Sequence, residues 1–510
     1  LKGIPALALF SLFVVTGFRG VDFGKQWDEI EWHIQPVRDM VETGIFLPHL
    51  YIYPSLSKWL VLIPAVPAGI EAGRNTGLDS KAIKAAMKSI VDLPGHLLTA
   101  RRVFIVVSGL SLIWIYAAAL ALRRPWWEAF IAAAALGLSW EFAYHARFVA
   151  NDCLLTQFAA LTVLLLALFH RSGQSVWVYG AAIAAGLGTG AKYPGVVLLL
   201  PVLVAGMVVA RRPLVASVVR AVFLCGAAFG TYLVTTPGTF LDPYQFIRDT
   251  HRITGAYSAG HYGYTVAGPA AHWKVVLSYF AFSYFSPWKA ASVLLFAAVI
   301  WGGVSWFRRE WRVAVILVGF PLAFLSFFCG KYIVAIVRNY LFVVPFLALL
   351  AARGVADVAE RLKNRWARGS FLAVCSALAI AQAIFLVRAA ESIRHREDAR
   401  GDARAAIEYV AAHPMTRFRV SPRVRDLIAA QHIALPANVT DGPTPDSVVF
   451  FAIADSTSPS RWKTNDPWLT QAVFGPREMN FNWYSTWAGQ DRIVVMTLAK
   501  ARESSVVAAR

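Results

Sequence analysis

Long, mostly apolar runs broken by short polar connections fill the chain up to about residue 388. Several reach about 18 to 22 residues, enough to cross a hydrocarbon core of roughly 30 Å as helices. The pattern predicts about eleven spans, at residues 4–18, 102–122, 127–144, 154–169, 176–190, 194–210, 214–234, 287–306, 313–329, 340–352 and 371–387. The run 56–70 is ambiguous, because Pro64 and Pro67 interrupt it and proline breaks a helix interior. No small-residue cleavage site follows the first run, so it reads as a retained anchor.

The charges then orient these spans. With a cytoplasmic N-terminus, the inner connections hold Arg123 and Arg124, Arg171, Arg211 and Arg212, Arg308, Arg309 and Arg312, and the basic stretch 353–368. Every inner connection is basic, as the positive-inside rule requires. Counting 56–70 as a span would invert all later connections. It is therefore expected to be a juxtamembrane element within a first outer loop, 19–100. The turns at 145–152, Lys192 and 331–338, the segment 235–273 and everything after 388 are also expected outside.

Beyond 388 the pattern changes. A helix-like stretch, 403–412, is ended by Pro414, and strand-like runs follow at 418–420, 448–453 and 493–498. Helical and strand-like segments in one stretch suggest a small α/β domain. The expected fold is an all-α polytopic membrane protein over 1–388, followed by a small α/β extracytoplasmic domain over 389–510. It would sit in a bacterial plasma (inner) membrane.

Composition sharpens the picture. The chain is 57% hydrophobic with mean hydropathy +0.52, well above an ordinary soluble domain. The net charge of +19 does not point to nucleic acid, because the cations sit in short connections rather than on a basic stripe interleaved with stacking aromatics. Cys153, Cys225, Cys329 and Cys375 form no CxxC pair, so a disulfide framework or zinc site is not expected. No P-loop, HExxH or nucleophile-elbow motif is present among the 510 residues.

The chemistry gathers on the outer side. The stretch QWDEIEWH, residues 26–33, places Asp28 and Glu29 just past the first apolar run. Carboxylates at the bilayer centre would cost roughly 2.5–3.5 kcal/mol each, so the pair must face water or a polar cavity. Asp152 in RFVAND and Asp242 in TFLDPY lie on the same side, as do the cations Lys58, Lys192, His261, Lys331 and Arg338. Transfer of a sugar from a lipid phosphate suits this mixture. A phosphate leaves without being protonated, so one carboxylate suffices as base on the acceptor hydroxyl. Fixed Arg or Lys charge would hold the leaving phosphate.

The segments WDEIEWH, YPSLSKWL, HARFVANDCLLTQF, GLGTGAKYPGVVLL and RNYLFVVPFLALLAARG, in that order, resemble the GT-C superfamily of integral-membrane glycosyltransferases. Within it they are similar to the protein O-mannosyltransferase and lipid A aminoarabinose transferase branch. The resemblance covers most of the membrane region. It implies a polyprenyl-phosphate sugar donor and a lipid, glycan or protein acceptor. It also implies Asp28 as catalytic base, assisted by Glu29, with Asp152 as a further acid of the site. Arg338, Lys192, Lys58 and Arg147 would supply cations for the donor phosphate. A divalent metal ion is the one cofactor left open, on Asp28, Glu29 and Asp152. His261 and Tyr262, in GHYGY, would belong to an outer substrate loop, with Tyr53 beside them. Tyr53 stands where the aminoarabinose transferases carry a lysine, which puts phosphate binding at that position and an aminoarabinose donor in question.

Two other functions compete. A transporter or flippase would place its ionisable groups at the midplane between repeated halves, whereas these acids lie at one face and no repeat is evident. A non-catalytic scaffold would not need Asp28, Glu29 and Asp152 together. The aromatic stretch 474–487 in the tail reads as packing surface.

Overall fold

In the computed structural model, residues 3–22, 27–209, 213–260, 264–394, 401–420, 424–425, 428–429, 432–440, 447–453, 468–474 and 492–498 are described. They divide into two compact units, Leu1–Val21 with Lys25–Val387, and Asp22–Gly24 with Arg388–Arg510. The stretch 475–487 lies outside the described residues.

The first unit is helical. It opens with α1 (Ile4–Arg19), α2 (Trp27–Glu29), α3 (Gln35–Thr43), α4 (Leu56–Leu62), α5 (Val66–Thr76) and α6 (Ser80–Val91). Then come α7 (His96–Ala121), α8 (Trp126–Gly137), α9 (Trp140–His145), α10 (Asn151–Ser172), α11 (Ser175–Ala191) and α12 (Leu199–Val204). It continues with α13 (Leu214–Thr235), α14 (Gly238–Leu241), α15 (Pro243–Ala259), α16 (Pro269–Tyr279), α17 (Lys289–Lys331), α18 (Val344–Arg361) and α19 (Arg365–Arg394), of which the part from Arg388 on belongs to the second unit. Among the described residues, six helical stretches are long and apolar enough to cross a membrane, and four shorter ones are also apolar. Large apolar side chains stand exposed along α13 and α19, among them Phe223, Val234, Val374 and Ile380. Lipid is the solvent that suits such faces, and the protein is a polytopic membrane protein.

The ambiguous run 56–70 becomes two helices, α4 and α5, joined by a 3-10 turn at Ile63–Ala65 where Pro64 lies. Val61, Leu62 and Ala65 pack with Val37, Met40 and Val41 of α3, Met87 and Val91 of α6, and Phe104 of α7. The first loop is thus a helical platform whose apolar core is continuous with α7, α10 and α11. Asp79 starts α6 by accepting hydrogen bonds from the Lys81 and Ala82 amides at 3.1 and 3.3 Å, an N-cap worth about 1 kcal/mol.

The spans expected at 287–306 and 313–329 lie in one element, α17, 43 residues long. Glu310 breaks it, with φ −157° and ψ 74°. The basic connection read there is this corner, and His170 at the end of α10 meets Glu310 at 2.6 Å. Arg353 is almost fully buried, rather than reaching for headgroups as a loop arginine would. It contacts Glu128 at 3.0 Å and Glu360 at 2.7 Å. Arg309 and Arg361 contact Asp357, each at 2.8 Å, and so does the Trp301 indole N–H. This network ties α8, α17 and α18 together at the basic end.

The second unit contains α20 (Gly401–Ala411), β1 (Arg417–Val420), β2 (Val439–Thr440), β3 (Ser447–Ile453), β4 (Trp468–Phe474) and β5 (Arg492–Leu498). The strand order is β2-β1-β3-β5-β4. Strand β1 runs parallel to β2 and β3, while β5 runs antiparallel to β3 and β4. Ala406, Ile407 and Val410 of α20 pack on Phe418, Val420 and Val495. Strands β2 and β4 were not foreseen.

Helices α17 and α18 approach so closely that a Cβ on Gly302 would meet the Leu350 carbonyl, and one on Gly354 the Ala298 carbonyl. Gly226 on α13 has open space at the same position. Gly354→Val should therefore destabilise the bundle by about 1–3 kcal/mol through overpacking, whereas Gly226→Val should not. Thermal unfolding of the two variants in the same detergent checks this.

Candidate active site

The segment 27–43 is helical throughout, but Ile30–Ile34 takes a π-helical turn between α2 and α3. Such turns insert one extra residue and re-aim the side chains beside them. Asp28 is buried just before this turn, and its Oδ2 accepts from the Arg338 Nη2. Arg338 comes from the 3-10 stretch Val337–Val343 that leads into α18. Its Nε lies 3.6 Å from Asp152 Oδ2, so one guanidinium faces two carboxylates.

Asp152 sits in the first turn of α10, where the helix dipole favours negative charge. Its Oδ1 accepts from Lys192 Nζ at 2.5 Å. Lys192 ends α11 in extended conformation, just before Pro194 prevents helix continuation. The turn is tight, since a Cβ on Gly195 would collide with the Gly188 backbone. Lys192 also donates to Asn339 Oδ1 at 2.6 Å, and the Asn339 amide nitrogen donates to the Tyr257 hydroxyl at 3.1 Å. The result is a row: Asp28, Arg338, Asp152, Lys192, Asn339, Tyr257.

Next to this row lies a cavity of about 280 Å³. Tyr53, Lys192, Tyr257 and Asn339 form part of its polar lining, and Val197, Phe324, Phe327 and Phe328 part of its apolar wall. Burial pushes the Tyr53 hydroxyl's pKa well above its ordinary value, and the Asp28 charge adds to this, so it stays protonated as a donor. The Tyr53 ring stacks on His33 at 5.4 Å. Burial, with Lys58 and Arg338 nearby, lowers the His33 pKa well below the usual range and keeps it neutral.

Of the residues expected at the site, Asp28, Asp152, Arg338 and Lys192 come together, and Tyr53 lines the cavity. Three others do not face it. Glu29 is fully buried; it accepts from Arg101 through both oxygens and from the Val149 amide at 2.9 Å. Arg101 also donates to the Val21 carbonyl at 2.9 Å. Glu29 therefore fastens the first loop to α7 and to the turn before α10, a structural duty. Lys58, also fully buried, donates to the Tyr53 and Pro54 carbonyls at 2.7 and 3.4 Å, so it holds backbone rather than phosphate. Arg147 donates to the Ala143 and Thr16 carbonyls and lies over the Trp140 ring, with no phosphate-facing role. His261 and Tyr262 lie outside the described residues. The chain leaving that loop is stitched beside the site, with the Val266 amide on the Ile333 carbonyl and the Ala335 amide on the Tyr264 carbonyl.

A resident divalent ion does not fit this donor set. The three acids named for it are engaged by Arg338, Arg101 and Lys192, and an ion would have to displace Arg338 from between Asp28 and Asp152. Among the described residues no group of three or more His, Cys, Asp or Glu converges. Asn339, Tyr257 and Arg101 were missed in the sequence. Asn339 directly follows Arg338 in RNYLF, but nothing in the pattern marked Tyr257 within the segment read as a loop, which is helix α15.

Fold and site define the class: a polytopic helical membrane protein with an acid–cation row beside a cavity. Residues 85–237 match the family model of dolichyl-phosphate-mannose-protein mannosyltransferase, in keeping with the likeness to membrane glycosyltransferases seen in the sequence. No curated protein matches the chain. Among solved structures, the chain is similar to ArnT from Cupriavidus metallidurans in the apo state, at 15% identity and TM-score 0.45 over 97% of this chain and 98% of that one. It is likewise similar to the same protein bound to undecaprenyl phosphate, at 14% identity and TM-score 0.43, over the same shares.

Two outcomes follow from the site. Glu29→Ala strands the Arg101 charge and should cost about 3–5 kcal/mol, with Glu29→Ala/Arg101→Ala less damaging than the single changes predict in sum. A double-mutant cycle of thermal unfolding measures this. Burial pulls the Lys58 pKa down to about 7 from the ordinary 10.5, against a smaller opposing effect of Asp249. Between those values the unfolded chain binds the proton and the folded chain does not, so this group makes stability rise with pH. The pH slope of the unfolding midpoint in that window should shrink in Lys58→Met.

Proposed function

We propose that this protein transfers a sugar from a polyprenyl-phosphate donor to a lipid, glycan or protein acceptor at the outer face of the membrane, with its N-terminus cytoplasmic. The observation that carries the reading is the position of Arg338, between Asp28 and Asp152, with Lys192 on the far side of Asp152 next to the cavity. The family-model match over 85–237 supports the same reaction class. Inner (plasma) membrane placement rests on the spans and on the basic connections.

The steps follow from charge. The donor phosphate draws the Arg338 guanidinium and the Lys192 ammonium, the nearest fixed cations, into charge-assisted hydrogen bonds. That loosens Arg338 from Asp28. The Asp28 carboxylate then accepts the proton of the acceptor hydroxyl as its oxygen attacks the anomeric carbon. The carbon–oxygen bond to phosphate breaks, the electron pair leaves on the phosphate oxygen, and Arg338 and Lys192 stabilise that charge. A single displacement inverts the anomeric configuration. Tyr53, protonated, donates a hydrogen bond into the cavity, and Asn339 with Tyr257 holds Lys192 in place.

The test uses the full chain in lipid nanodiscs with radiolabelled polyprenyl-phosphate sugars. Asp28→Asn should lower sugar release or transfer by at least ~10²-fold. Equal turnover in native chain and variant removes Asp28 from the mechanism. A native chain that neither turns over nor binds any such donor returns the protein to the transporter or scaffold readings.

A further inference from the structure

A second, larger cavity of about 460 Å³ opens between α8, α18 and α19, within the size range of ligand sites. It shares no lining residue with the cavity at the acid–cation row. Its walls are mostly apolar, with Phe130, Leu372 and Ala379 among them, and Trp126, Trp127 and Arg368 stand together at one end. Both α8 and α19 begin at that end. It is the basic end, where Arg353 reaches Glu128.

The charges there are not equivalent. Arg309, Arg353 and Arg361 are committed to Glu128, Asp357 and Glu360. Arg368 is exposed, and among the described residues it has no ion-pair partner. An uncommitted guanidinium at the mouth of an apolar groove, flanked by two indoles, complements a molecule with an anionic head and a long apolar tail. Indole rings favour the headgroup level, and basic pockets between helices on the cytoplasmic side recognise anionic headgroups.

We infer that this groove holds one anionic phospholipid, its phosphate on Arg368 and an acyl chain along α8 and α19. The site is independent of the transfer reaction and touches none of its residues. The zwitterionic phospholipid of equal chain length binds less well, because its second charge is repelled by Arg368. One basic contact at a lipid surface corresponds to about a fivefold preference.

Native mass spectrometry of the delipidated full chain, titrated with phosphatidylglycerol and phosphatidylcholine of matched acyl chains, tests the inference. The native chain should retain one phosphatidylglycerol about fivefold more tightly than phosphatidylcholine. Arg368→Gln should erase that preference while keeping residual binding of both, and Arg368→Lys should restore part of it. Ala379→Trp should exclude both lipids without shifting the thermal midpoint, with Leu372→Trp, two turns earlier on α19, as the second filling variant. A preference that survives Arg368→Gln overturns the headgroup assignment. Lipid retained undiminished in both filling variants overturns the groove. Displacement of the bound lipid by a polyprenyl phosphate, with the same sensitivity to Ala379→Trp, assigns the groove to a donor tail instead and also overturns it.

Discussion

A charge taken out of water inside a helix bundle must meet an opposite charge or backbone carbonyls, and this requirement organises the protein. Arg338 meets Asp28 and Asp152, Lys192 meets Asp152, Arg101 meets Glu29, and Arg353 meets Glu128. Removing one partner of such a pair leaves an uncompensated buried charge, a cost of several kcal/mol. The elements that carry these residues are therefore locked in relative position. The Glu29 pair fastens the first loop, and Asp28, its neighbour in sequence, is thereby delivered to Arg338. Glu29 supplies rigidity, and Asp28 is left beside the Arg338 guanidinium.

The two poles of the membrane unit are joined by the same helices. Helix α10 starts with Asp152 and ends near His170, which meets the corner of α17 at Glu310. Its 22 residues span about 33 Å at 1.5 Å per residue, close to the thickness of a bilayer core. Arg338 precedes α18, whose far end carries Arg353, Asp357 and Glu360. The basic-end network thus holds the helices whose opposite ends present the acid–cation row. The close contact of α17 and α18 at Gly302 and Gly354 keeps them in register.

Much of this was legible in the sequence, for physical reasons. Long apolar runs and basic connections mark spans and sides without any contact information. Asp28, Asp152, Lys192 and Arg338 could be grouped because all four fall at run ends on one predicted face. Sidedness does not show direction, however. Lys58 and Arg147 lie on that face too, yet their long side chains turn to carbonyls of the first loop and of α1. Glu29 could not be separated from Asp28 because their partners, Arg101 and Arg338, lie 72 and 310 residues away in the chain. Arg101 falls at the boundary between the first outer loop, 19–100, and the span at 102–122, where nothing in the pattern assigns it a partner. Strands β2 and β4 escaped because one is two residues long and the other, WLTQAVF, does not alternate strictly.

In the proposed reaction Arg338 is shared, held by Asp28 in the resting site and surrendered to phosphate when the donor arrives. Equilibrium binding of polyprenyl phosphate to the native chain and to Asp28→Asn in nanodiscs tests it most directly, because binding is read apart from turnover. If Asp28 competes with phosphate for Arg338, the variant binds polyprenyl phosphate more tightly than the native chain. Weaker binding by the variant would mean that Asp28 holds Arg338 in place for the phosphate, and would contradict the exchange.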